Sequence, residues 1–125
     1  HAQPLLAAIS YEARRKIRQF DAQALSTTAW SFAVLAVQDC HLLDAISSEA
    51  RNRITSFTPL ALSSTVWACA RLLWRDQPLL DAISASSITK IPDFRSQSLA
   101  NTAWACAALE FEHGPLLDAI AAASQ

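Results

Sequence analysis

Apolar residues along the chain recur on two scales. From His41 to about Asn52, Leu42, Leu43, Ile46 and Ala50 fall on one side and Asp44, Ser47, Ser48 and Arg51 on the other. That period predicts an amphipathic, half-exposed helix, A. From Gln23 to Val37, Leu25, Ala29, Phe32 and Ala36 share one face while Trp30, Ala33 and Val37 share another. A helix there, B, is apolar over most of its circumference and must be sandwiched. Between A and B stand Phe20, Phe57 or Phe94 with Pro59 or Pro92 nearby, a short link that folds the two into an antiparallel hairpin.

On the longer scale the pattern repeats every 37 residues: Pro4-Leu5-Leu6, His41-Leu42-Leu43, Pro78-Leu79-Leu80 and Pro115-Leu116-Leu117 keep that step. So do Thr28-Ala29-Trp30, Thr65-Val66-Trp67 and Thr102-Ala103-Trp104, and the isoleucines Ile9, Ile46, Ile83 and Ile120. One frame without insertions divides a single domain, 1–125, into repeats at 4–40, 41–77 and 78–114 and a partial fourth at 115–125. The expected fold is all-α: a right-handed-type α-solenoid of stacked hairpins, about 3.4 repeats and about seven helices, each unit burying its neighbour's face.

Proline inside the first turn of helix A, and Asp44, Asp81 and Asp118 close behind it, read as helix-start devices near the positive end of the dipole. The column Trp30, Trp67 and Trp104 could form a base-stacking ladder. The small residue three positions on, Ala33, Ala70 or Ala107, favours a knob packed in the core instead. Trp74 takes the slot of Val37 and Phe111 and reads as packing between units.

Composition supports helices, because one Gly among 125 residues leaves few hairpin turns for a β fold. An apolar share of 52% is high for a small free globule, so part of that surface is expected to meet a neighbour. The longest apolar run, Ala29 to Val37, is broken by Ser31 and is too short to span a membrane. The chain opens on His1 without a leader, which reads as a fragment or a processed form. Three cysteines without a C-x-x-C pair suit a reducing compartment, with Cys69 and Cys106 as small buried apolar groups. A net charge of −1 gives no global pull on nucleic acid, so any such binding must be local.

The 37-residue period, the Pro-Leu-Leu start of helix A and the string Leu99-Ala100-Asn101-Thr102-Ala103-Trp104-Ala105-Cys106-Ala107 resemble the heptatricopeptide and octotricopeptide repeats. The chain also resembles the helical-repeat proteins of RNA-editing substrate-binding complexes. These resemblances imply an organellar RNA-binding solenoid, intracellular, in a mitochondrion or plastid, of a kind often joined to a RAP domain. The chain departs from the octotricopeptide pattern in its period and its shorter loop before helix A.

Recognition is expected where units differ on an exposed face. The row Thr27, Ser31, Val34 and Gln38 becomes Ser64, Ala68, Arg71 and Arg75, then Asn101, Ala105, Ala108 and Glu112. Thr27, Ser64 and Asn101 could each bond a base, with Arg71 and Arg75 on phosphate; the alternative is a solvated helix face. Lys16, Arg53 and Lys90, with Arg14, Arg15, Arg18 and Arg51, form a basic edge suited to a phosphate backbone, or cations placed at helix C-termini by the dipole. There is no phosphate loop, nucleophile elbow or metal-ligand spacing; no enzyme activity, cofactor or metal is expected. The reading is a single-stranded RNA-binding module in organellar RNA processing, rRNA or translation. The alternative is a protein-binding scaffold, with protein partners inside a larger assembly.

Overall fold

The structure is a computed structural model that describes residues 3–111 and 113–125. Glu112, at the end of the third variable row, lies outside the described residues. Among the described residues, seven α-helices run α1 (Gln3–Arg15), α2 (Ala22–Val34), α3 (Cys40–Asn52), α4 (Pro59–Leu72), α5 (Gln77–Lys90), α6 (Ser96–Leu109) and α7 (Gly114–Ala123). The odd-numbered helices are the expected A helices and the even-numbered ones the B helices. Each A–B link is a single 3-10 turn, at Ile17–Gln19, Ile54–Ser56 and Ile91–Asp93.

Two layers result. In one, α2 packs on α4 and α4 on α6; in the other, α1, α3, α5 and α7 follow one another more loosely. The B layer is the tighter because small side chains meet there. Ser26, Ala29 and Ala33 of α2 and Ala61, Ala68 and Ala70 of α4 are all buried, and small contact residues let helix axes approach closely. Burial follows the repeat columns: Leu42, Leu79 and Leu116 are sealed, as are Ile46, Ile83 and Ile120.

Three local expectations need correction. Asp44, Asp81 and Asp118 lie beyond the first turns and are exposed. The groups that cap the A helices stand five residues earlier: Asp39 accepts from Leu42 N and Asp76 from Leu79 N, each at 3.1 Å, and His113 Nδ1 accepts from Leu116 N at 3.2 Å. Ser47, assigned above to the polar side, is fully buried, since the next unit covers that flank as well. Finally, α2 stops at Val34 rather than Val37, because a left-handed residue closes each B helix.

That residue is Ala36, Leu73 or Glu110, at φ of 56°, 53° and 54°. The N–H groups of Val37, Trp74 and Phe111 then reach back to the carbonyls of Phe32, Cys69 and Cys106, the Schellman pattern. Its apolar residue after the left-handed position explains why the Val37, Trp74 and Phe111 column is apolar. All three pack partly buried against the core.

Candidate interaction surfaces

The exposed face of the B layer is set by helical geometry. Gln23, Thr27, Trp30 and Val34 project together from α2, Leu60, Ser64, Trp67 and Arg71 from α4, and Gln97, Asn101, Trp104 and Ala108 from α6. The tryptophans are not core residues, contrary to the packing expected from the sequence: Trp30 is 45% and Trp104 48% exposed, with Trp67 between them half-buried. Their rings form one ladder, 6.2 Å between the centroids of Trp30 and Trp67 and 6.5 Å between Trp67 and Trp104, tilted by 31° and 35°. The column faces outward because the small residues of each B helix, not its indole, fill the gap between neighbours.

Beside the ladder lie two equivalent grooves. One of about 390 Å³ is lined by Gln23, Thr27 and Trp30 of α2 and by Leu60 and Ser64 of α4. The other, about 490 Å³, repeats the position between α4 and α6, with Leu60, Arg95, Gln97 and Asn101. Asn101 Oδ1 accepts from Gln97 Nε2 at 3.0 Å. The face is amphipathic and carries little charge, Arg71 and Arg95 being its exposed cations.

The variable row read from the sequence therefore divides. Thr27, Ser64, Asn101 and Arg71 do lie on this face. Ala68 and Ala105 are completely buried, because the stripe they belong to is turned toward the preceding unit. Gln38 and Arg75 serve a different purpose. Gln38 Nε2 donates to the Leu72 carbonyl, and Arg75 Nε donates to Leu109 O at 3.3 Å. Each side chain thus satisfies a carbonyl at the end of the next unit's B helix, where free carbonyls accumulate.

The basic edge resolves in the same way. Arg53 Nη2 donates to the Arg18 carbonyl at 2.6 Å, and Lys90 Nζ donates to Thr55 O at 2.9 Å and to Phe57 O. These cations bind the preceding unit's A–B turn instead of forming a free phosphate track. Lys16, in the same slot of the first unit, sits 3.7 Å from Glu12. Arg15 pairs with Glu12 at 3.0 Å and lies over the Tyr11 ring. Arg14, Arg18 and Arg51 are exposed, and the Arg14, Arg51 column ends at Ile88. Sequence reasoning missed the clamps, although the 37-residue spacing of the cations beside turns rich in free carbonyls was a usable signal.

Three perturbed groups complete the chemistry. A hydrogen bond from Ser10 Oγ holds the Asp39 carboxyl below its ordinary value, assisted by Leu42 N and the nearby Arg14 and His41 charges against a desolvation penalty. Burial pushes the Cys69 and Cys106 thiols up, as inert core cysteines should be. Among the described residues no three His, Cys, Asp or Glu side chains converge as metal ligands, and no helix is long and apolar enough to cross a membrane.

Stacked hairpins tied by side chain to main chain clamps define a helical-repeat protein. A family model described as RNA-editing substrate-binding complex 6 protein matches residues 2–125, and the chain belongs to that family. By its name, this is a component of an RNA-editing substrate-binding complex, which places the chain in RNA processing. The match agrees with the second of the two resemblances; it does not extend to heptatricopeptide or octotricopeptide repeats. No curated protein matches the chain.

Proposed function

We propose that the chain is a scaffold subunit of an RNA-editing substrate-binding complex, holding protein partners by surface packing and catalysing no reaction. The observation that carries this reading is an exposed apolar strip along the B layer. Leu60 is 69%, Trp104 48% and Trp30 45% exposed, side by side on that face. Apolar surface of this kind marks a protein interaction site. The family name, which belongs to a complex, supports it. Affinity purification with nuclease treatment tests it: a scaffold keeps its protein partners after nuclease, and loss of every partner contradicts the reading.

The tryptophan ladder favours a second reading, contact with single-stranded RNA along the B face. Bases would stack on Trp30 and Trp104, Thr27, Ser64 and Asn101 would bond base edges, and Arg71 would meet a phosphate. Binding of a random RNA pool that weakens with salt and with Arg71→Ala supports it; binding indifferent to both removes it. The free thiols of Cys40, Cys69 and Cys106 suit a reducing intracellular setting, and the mitochondrion is the compartment in which a tagged chain should be found.

A further inference from the structure

Resting on the scaffold reading, we infer that the groove between α4 and α6 receives an acidic, partly apolar segment of a protein partner, whose carboxylate caps α6 from outside while a neighbouring apolar side chain packs on Leu60. The B helices differ in their first turns. Asp21 accepts from Ala24 N at 2.8 Å and Thr58 from Ala61 N at 3.1 Å, so α2 and α4 are each capped by a side chain of their own. In α6 the same slot holds Arg95 and no side chain caps the helix, since a guanidinium has donors only. The first main-chain bond of α6 runs from Leu99 N to Arg95 O at 3.0 Å. The N–H groups of Gln97 and Ser98 are left pointing out of the helix end.

A second observation points to an acceptor there. Ser98 is only 7% exposed and stands where α2 and α4 carry Ala24 and Ala61, yet its hydroxyl makes no hydrogen bond among the described residues. Ser47, Ser84 and Ser87 also lack partners, but their oxygens are sealed inside the protein, whereas Ser98 lines the groove of about 490 Å³. This groove is not a chain end. Its equivalent between α2 and α4 stays open although α6 follows, so units stacked on either side lengthen the face without covering it.

Charge selects the occupant. Arg95 and the positive end of the helix, about half an elementary charge, outweigh Asp93, the one carboxylate on the rim. The surplus suits a single anionic group. A nucleic-acid backbone crossing the B layer would meet Asp21, an anion in the corresponding slot of α2, and its phosphates offer nothing to the exposed Leu60. An Asp or Glu next to a large apolar side chain satisfies both halves of the groove. Its carboxylate accepts from the Ser98 N–H and hydroxyl with the Arg95 charge nearby, and its neighbour covers Leu60.

The test uses two variants that borrow residues this chain already carries in the same slots, so both should fold. Arg95→Asp copies Asp21, and Leu60→Gln copies Gln23 and Gln97. The tagged chain and each variant are purified with their complex under nuclease. Arg95→Asp should raise the unfolding midpoint, because α6 is now capped from within, and yet lose about tenfold of one protein partner, the scale of a charged hydrogen bond left unmade. Leu60→Gln should lose a smaller share of the same partner. In amide NMR spectra of the full chain, an acetyl-Leu-Asp-Leu-amide peptide should move the Gln97 and Ser98 signals, and acetyl-Leu-Asn-Leu-amide should not. Retention of every partner by Arg95→Asp, or Ser98 signals indifferent to the acidic peptide, overturns the inference while leaving the scaffold reading intact. Absence of any nuclease-resistant partner overturns both. A single-stranded RNA oligonucleotide that moves the Ser98 signal where the peptide does not assigns the groove to RNA, and an unfolding midpoint unchanged by Arg95→Asp contradicts the missing cap.

Discussion

Arg53 reaches across the boundary between the first two units and donates its guanidinium Nη2 to the main-chain carbonyl of Arg18 at 2.6 Å. Lys90 does the same one unit later. A point charge and a planar fork serve equally well because the acceptors are single carbonyls, not a bidentate carboxylate. Arg53→Ala should therefore lower stability by about 1 kcal/mol, the lower part of the range for a charged hydrogen bond because the side chain is partly exposed. Arg53→Lys should restore most of it. Urea midpoints of the three proteins check this, and a lysine variant as unstable as the alanine one would count against the clamp.

The left-handed residue that closes α4 is Leu73, whose side chain is largely exposed. A non-glycine residue there carries backbone strain that glycine does not. Leu73→Gly should raise stability by about 0.5 kcal/mol, the strain relieved being partly offset by greater freedom of the unfolded chain. Leu73→Val should lower it, since a β-branched residue suits that conformation worse. Thermal melts of both variants give the sign directly.

Exposure separates the tryptophans energetically. Trp67 lies between two indoles, whereas Trp30 and Trp104 each contact one. Alanine at Trp67 should cost about 2 kcal/mol and at Trp104 about 1 kcal/mol, less than the complete loss of a buried aromatic. Equal and larger losses at all three positions, measured by chemical denaturation, would restore a core role.

Acid should weaken the junction of α1 and α3. The Asp39 carboxyl titrates below its unfolded value because Ser10 Oγ donates to it. Its stabilising contribution is fully present above about pH 4, the ordinary aspartate range, and disappears as pH falls through the depressed folded value. The stability difference between the natural chain and Ser10→Ala should accordingly narrow below pH 4. A difference that persists unchanged at pH 2 would show that the bond does not depend on the carboxylate.

Most of the architecture was legible because the columns Leu42, Leu79, Leu116 and Ile46, Ile83, Ile120 register both the helical period and the unit length. Polar partners were less so. A cation at Arg53 looks alike in sequence whether it caps its own helix, meets phosphate or grips a neighbouring turn, and only the distance to Arg18 O separates these. Helix caps were missed for a similar reason: Asp44 and Asp39 both stand near the start of α3, and the choice depends on where the chain first turns helical. The tryptophans misled because an indole spaced with alanines predicts contact without saying which of the two fills the gap between helices.

Native-state hydrogen exchange tests most directly whether each hairpin is sheltered by its neighbours. The expected order places the amides of α4, flanked on both sides, as the slowest, α2 and α6 faster, and α1 and α7 fastest. Protection in α1 equal to that in α3 would contradict it, because Leu5 and Ile9 are exposed where Leu42 and Ile46 are sealed.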